Sequence, residues 1–400
     1  MKFRSLVAYL LLSAAPAAAQ GAFDDGVIRI GVINDRTGPY SDLSGEGSVV
    51  AARMAAEEFE NSINGTPIEI VFADHQNKPD VGAAIIRKWL ADEGVDAVVD
   101  FSNSGITLAA AALLKEHEAL VITNASSNDI TGKSCHPHMM QWLYNARSTA
   151  TNVITADDIA GGMDKFFIVA VDNAAGTSAS EIFSTSVQAL GGSVVGQVVH
   201  PLNTSDFSSY FLQAKGSGAD AIFLANMGSD LGNSSKQAAE FGVTRTQNLI
   251  AGALTISEIE ANGLEALQGL RAISFYEWNR NNEAKNWALA FAERHGGRLP
   301  AGPQAATYSQ VRHMLAAMQA VGSDSPEMVA AKMREMPVND AFSDNGVLRK
   351  DGQLVHDMYI IRVKTPSEST ENGDYTERLK ILPGELLFQS LEESECPTAK

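Results

Sequence analysis

Three things are scarce in this sequence: long apolar runs beyond the first residues, positive charge, and cysteine. Each scarcity excludes a class of protein. No segment after the N-terminus is long and apolar enough for a transmembrane helix. Lys and Arg number 30 against 48 Asp and Glu, a balance of −18. Such acidity argues against nucleic acid or an anionic membrane surface as partner and favours solubility. Only two cysteines are present, Cys135 and Cys396. The "CHPH" run offers Cys135, His136 and His138 to a metal, but that spacing fits no structural zinc motif, because no second Cys or His pair lies nearby. Neither a metal nor a cofactor is expected.

Catalytic motifs are equally poor. "TGKS" at residues 131–134 ends like a phosphate-binding loop, but Ser127 stands where its first glycine belongs and no strand leads directly in. "GSGADA" has dinucleotide-loop spacing in the reverse context, after a helix and before a strand. There is no G-x-S-x-G elbow and no H-E-x-x-H pair. His75, His117, His295, His313 and His356 are scattered. The chain does not read as an enzyme.

What is present begins with an export signal. Lys2 and Arg4 precede the apolar "SLVAYLLLSAAPA", and Ala17-Ala18-Ala19 offers small residues for cleavage. Cleavage after Ala19 is expected, releasing a soluble chain into the periplasm with a balance of 28 − 48 = −20. In an exported chain an even cysteine pair reads as a disulfide. The pair Cys135–Cys396 would tie the C-terminal tail to the middle of the chain.

A chain this long suggests two lobes rather than one core. The pattern agrees. "VIRIGVIND", "IEIVFADH", "DAVVDFS" and "ALVITN" read as strands, and amphipathic helical segments separate them. After a long polar connection, residues 125–147, the alternation restarts with "KFFIVAVDN", "SVVGQVVHP", "DAIFLANM" and "NLIAGA". Three helical segments follow, and then two strand patterns around Asp351-Gly352, a hairpin signal. Repeated βαβ units imply mostly parallel sheets, so the fold class is α/β with two doubly wound lobes.

In such sheets ligands bind beyond the carboxyl ends of the strands. Three first-lobe strands end there in small polar runs: "NDRTGPYSDLSGEG", "DFSNSGIT" and "TNASSNDIT". Asn103, Ser104, Ala125 and Ser126 could hold a carboxylate on backbone N–H groups near helix starts, without an arginine. The competing reading is ordinary helix capping. Second-lobe strands end at Asp172 and Asn173, and at Asn226 and Asp230. "SFYEW" adds Tyr276 and Trp278, as a ligand wall or as plain packing.

The segments "IRIGVINDRTGPYSDLSGEGSVVAARMAAEEF", "VDAVVDFSNSGITLAAA", "HPLNTSDFSSYFLQAKGSGADAIFLAN" and "PVNDAFSDNGVLRKDGQLVHDMYIIRVK" resemble the substrate-binding proteins of ABC importers. More narrowly, they are similar to the leucine/isoleucine/valine-binding type, with the type I periplasmic fold. The resemblance spans essentially the whole mature chain. It implies lobes of residues 27–145 with 278–345 and 146–277 with 346–400, joined by three crossings near Asn145, Glu277 and Gly346. It implies a monomer that closes on a small carboxylate and delivers it to a membrane permease. The alternative is a ligand sensor that signals through a separate receptor. The resemblance brings to the ligand Tyr40, Phe101, Asn103, Ser104, Asn124, Ala125 and Ser126 from the first lobe, and Asn173, Asn226, Met227, Ala253 and Tyr276 from the second. Two departures bear on the ligand. Asn173 and Ala175 stand where the family usually has an aromatic residue. The region that supplies an acid to the ligand ammonium in amino-acid binders is here 251–255, and the nearest acid is Glu258. The resemblance therefore implies a small carboxylate, either an amino acid or an aromatic or other organic acid.

Overall fold

The computed structural model describes residue 23 and residues 25–399; the expected signal peptide lies outside them. The first half runs β1 (Ile28–Asn34), α1 (Gly45–Glu57), β2 (Ser62–Ile63), β3 (Thr66–Asp74), α2 (Pro79–Asp92), β4 (Ala97–Asp100), α3 (Ser104–Leu113), β5 (Leu120–Thr123) and β6 (Met139–Gln141). Among the described residues these strands form a six-stranded sheet in the order β2-β3-β1-β4-β5-β6, parallel except for β2. Its central strands read as continuous apolar runs because both faces are covered. Ile28, Ile30, Val32, Val99 and Ile122 join the core on one side; Ile33, Val98 and Val121 join Ile86, Trp89, Ile106 and Ala110 of α2 and α3 on the other.

The second half runs α4 (Ala146–Ala150), α5 (Ala156–Ala160), β7 (Lys165–Val171), α6 (Ala174–Ala189), β8 (Ser193–His200), α7 (Ser208–Gly216), β9 (Ala221–Ala225), α8 (Ser229–Glu240), β10 (Asn248–Ala251), α9 (Ile256–Asn262), α10 (Leu264–Leu267) and β11 (Arg271–Ser274). Three helices follow: α11 (Asn282–Arg294), α12 (Gly302–Val321) and α13 (Pro326–Glu335). They return to the first sheet, where α12 packs on α1 and β4. The chain ends with β12 (Val347–Leu348), β13 (Leu354–Val355), β14 (Met358–Val363), β15 (Thr376–Leu382) and α14 (Gly384–Leu387). The second sheet has the order β15-β14-β11-β10-β9-β7-β8; β14 alone runs antiparallel to its neighbours, β11 and β15.

The stretch read as one long polar connection contains a 3-10 turn, Asn128–Ile130, and the edge strand β6. Three residues are too few to show a strand period, so only pairing with β5 reveals β6. The hairpin around Asp351-Gly352 forms, with Val347 opposite Val355 and Leu348 opposite Leu354. Gly352, at φ +87°, carries its turn.

Three crossings lie side by side between the sheets. The Gln141 N–H donates to the Gly352 carbonyl at 2.8 Å. Asn145 Nδ2 donates to Gln353 Oε1 at 3.0 Å, and His356 Nε2 lies 2.5 Å from the Leu143 carbonyl. Tyr276 stacks on Phe342, and Arg280 pairs with Asp344 at 3.0 Å. Beyond β15 the tail folds back to the first lobe, where Cys396 forms a disulfide with Cys135. That bond uses the thiol that the "CHPH" reading would have offered to a metal.

Candidate functional site

The strand orders locate the site. β3 and β4 lie on opposite sides of β1, and β8 and β9 on opposite sides of β7. At such switch points the loops from neighbouring strands diverge and open a crevice. The two crevices face each other. Between them lies a cavity of about 70 Å³. One water needs roughly 10–15 Å³ on that measure, so the space suits one small molecule and excludes a polymer.

The loop after β1 is built around Asp35. Its carboxylate accepts from the Gly38 N–H at 2.7 Å and the Tyr40 N–H at 2.9 Å. Burial raises the Asp35 pKa, and these two bonds oppose the rise. The bent loop holds Tyr40 over the cavity, where burial pushes its phenol pKa up. β4 ends on Asp100, a non-glycine residue at φ +81° whose carboxylate accepts from Asn34 Nδ2 at 2.8 Å and Asn124 Nδ2 at 2.9 Å. Left-handed backbone is costly for such a residue unless its surroundings hold it. Directly after this turn, Ser102 lines the cavity, and its hydroxyl has no partner.

The remaining walls come from the crossing and the second lobe. Tyr144 stacks on Phe275 with centroids 4.8 Å apart, and its hydroxyl lies 2.9 Å from Met227 Sδ. Val171, Ala179, Phe223 and Leu224 form an apolar side, and Asn226 and Ala253 close the end. Among the described residues, no acidic, basic or histidine side chain lines the cavity.

The lobes touch across it. The Ser229 N–H donates to the Pro39 carbonyl at 3.2 Å. Gly228 beside it sits at φ +64°, and a Cβ there would collide with the Pro39 carbonyl oxygen. Arg298 pairs with Asp42 at 3.0 Å and Glu260 at 4.0 Å. The structure is closed.

Of the residues expected at a ligand, Tyr40, Asn124, Ser126, Asn226, Met227 and Ala253 line the cavity. Asn124 does so with its amide engaged: Nδ2 donates to Asp100 and to the Pro303 carbonyl, and Oδ1 accepts from Gln310 at 2.6 Å. The others lie around it. Phe101 is core on the far face of the sheet. Asn103 caps α3, and Asn173 caps α6, as the capping reading has it. Ser104 Oγ accepts from the Ser127 N–H, and the Ala125 N–H donates to Thr123 Oγ1. Tyr276 lines a separate cavity behind β11. Sequence reasoning missed Ser102, Tyr144 and Phe223. Ser102 lies inside the quoted "DFSNSG", but which turn residue faces the cleft is set by the Asp100 backbone.

The acids that could meet an ammonium are held elsewhere. Glu258 is fully enclosed; Oε1 accepts from the Gly228 N–H at 2.5 Å and Oε2 from the Thr255 N–H at 2.9 Å. Desolvation raises its pKa to about 7. Asp230 is buried, accepts from the Asn203 N–H at 3.0 Å, and is pushed up to about 6 by desolvation. Asp172 is exposed.

The periplasmic binding protein family matches residues 27–372. A periplasmic binding protein from Burkholderia mallei is 36% identical over 94% of this chain and 100% of its own, with a TM-score of 0.90. A branched chain amino acid ABC transporter periplasmic ligand-binding protein from Burkholderia xenovorans LB400 is 34% identical over 93% and 100%, with a TM-score of 0.82. Leu/Ile/Val-binding protein homolog 6 of Brucella abortus (strain 2308) is 27% identical over 219 residues, 54% of this chain and 55% of that protein. This last match therefore spans about half of that relative's length.

Proposed function

This chain belongs to the periplasmic binding protein family, and from that premise we propose that it is the solute-binding component of an ABC importer. It is exported to the periplasm, loses residues 1–19, and works as a monomer. It captures a small carboxylate, an amino acid or an aromatic or other organic acid, and hands it to an inner-membrane permease. Residues 27–145 with 278–345 act as one lobe and 146–277 with 346–400 as the other, the end of whose tail reaches back to Cys135 of the first lobe through its disulfide.

One observation carries the proposal: a small neutral cavity between two lobes that touch through Ser229 and Pro39. Ser102 and Ser126 offer hydroxyl donors on the first-lobe side, and the first turn of α3 starts beside Ser102. Such donors stabilise a carboxylate without a cationic side chain. Closure desolvates the ligand and gives the permease a shape to distinguish loaded from empty protein.

The test is native mass spectrometry of freshly purified mature protein, with mass analysis of anything released on denaturation. Thermal-shift titrations with leucine, glutamate, benzoate and 4-hydroxybenzoate run alongside. A retained small acid, or a rise in melting temperature with one of the four, supports the proposal. No retained mass and no shift overturn it.

A further inference from the structure

Asn226 follows β9 at the second-lobe switch point and lines the cavity. Behind it stands His200, the last residue of β8, buried and outside the cavity lining. His200 Nδ1 lies 2.9 Å from the Pro201 carbonyl. A carbonyl only accepts, so Nδ1 carries the proton and Nε2 is a bare acceptor. Asn226 Nδ2 lies 3.1 Å from that Nε2 and 3.5 Å from Ser234 Oγ. Desolvation lowers the His200 pKa and so favours the neutral ring.

An amide can usually be turned end for end. Here the neutral histidine removes that freedom, because only the NH2 end can satisfy Nε2. Asn226 Oδ1 is then left buried with no donor. A buried acceptor without a partner is costly until something donates to it. On the opposite lobe the Ser102 hydroxyl is likewise buried without a partner. Val171, Phe223 and Leu224 also line the cavity. A carboxylate against Asn226 Oδ1 would set acceptor against acceptor, so the acid end belongs at the serines. An ammonium against Asn226 would be buried in a cavity with no carboxylate in its walls, which is unfavourable.

We infer that His200 is a positioning residue that fixes Asn226 as a hydrogen-bond acceptor, so that the cleft selects small acids carrying an uncharged donor, a hydroxyl or an N–H, at the end remote from the carboxylate. This rests on the small-carboxylate reading above and names the chemistry of the second end.

Isothermal titration with benzoate and 4-hydroxybenzoate tests it on wild-type protein, His200→Phe and Asn226→Leu. Phenylalanine keeps the ring that His200 packs edge-on against Phe207 at 4.8 Å, and it removes the acceptor. Wild-type protein should bind 4-hydroxybenzoate at least about tenfold tighter than benzoate, the discrimination expected when a buried acceptor goes unmet. In His200→Phe the amide is free to turn, and the preference should fall below about threefold. Asn226→Leu should abolish or reverse it. A preference that survives both substitutions overturns the inference; if His200→Phe does not fold, a preference retained in Asn226→Leu does so alone. Equal binding of the two acids by wild-type protein overturns the inference and leaves the small-carboxylate reading standing. Binding of neither acid by wild-type protein, with the four-compound screen also negative, overturns both.

Discussion

Tyr40 and Gly228 meet across the cleft from opposite lobes, and each fails differently when replaced. Tyr40→Ala removes a buried aromatic wall and should weaken ligand binding by about 1–3 kcal/mol. Titration calorimetry with a ligand from the screen checks this; unchanged affinity would take Tyr40 out of the site. Gly228→Ala adds a Cβ that runs into the Pro39 carbonyl, at a backbone φ of +64° that strains any other residue. The backbone strain of about 1–3 kcal/mol is carried by both open and closed protein, whereas the collision with Pro39 falls on the closed state alone. Solution scattering should therefore find the saturated variant more expanded than saturated wild-type protein. Glu258 supplies a pH prediction. Its folded pKa is about 7, against an ordinary 4.5, because burial disfavours the charge. The folded state thus holds its proton longer than the unfolded chain, so this group's contribution is fully present below about pH 4.5 and is lost as pH rises through about 7. Wild-type stability should fall relative to Glu258→Gln across that interval, by up to about 3 kcal/mol. Parallel pH–denaturation curves for the two proteins would disprove the assignment.

At the scale of elements, α12 decides how the first-lobe loops are held. It is buried along most of its length, yet the buried face carries Gln304, Thr307, Ser309, Gln310 and His313. Several of those side chains bond to strand ends and loops of the first lobe. Gln304 Nε2 donates to the Ser44 carbonyl at 3.2 Å, and Ser309 Oγ donates to Asp340 Oδ2 at 2.6 Å. Gln310 Oε1 accepts from the Asp100 N–H at 3.1 Å, and its Nε2 donates to Asn124. Gln310→Leu would leave both partners buried and unmet, so it should destabilise the fold by about 1–3 kcal/mol in urea unfolding. A neutral result would mean that Asp100 and Asn124 find other partners. In sequence, "AATYSQVRHMLAAMQAVG" reads as a helix. The partners of Gln304 and Gln310 lie 186 to 260 residues away in the chain, and no local pattern shows that.

At the scale of the whole molecule, the chain leaves each lobe and re-enters it, and the cleft exists only because the crossings lie together. The Cys135–Cys396 bond ties the returning tail to the first lobe across 261 residues. Replacing both cysteines by serine should cost about 2–5 kcal/mol of stability. Ligand affinity should stay within about twofold, because neither cysteine lines the cleft. Denaturation and titration of the double variant check the two halves of this statement. A large loss of affinity would mean that the tail steers closure.

The sequence by itself determined the α/β class, the two series of βαβ units and the first-lobe loops near the cleft. It could do so because strand runs, helix periodicity and turn chemistry are local properties of the chain. The "TGPYSDLSGEG" stretch was legible as a cleft-rim loop for the same reason. Only the tertiary structure decided which turn residues face the cavity. Ser102 does and Asn103 does not, because Asp100 takes a left-handed backbone held by Asn34 and Asn124. Only the tertiary structure showed that Asn124 has already committed its amide, that Glu258 is enclosed behind Gly228, and that His200 stands behind Asn226. Each of these depends on contacts between residues far apart in the chain. Whether a polar group is free for a ligand is settled by what packs against it.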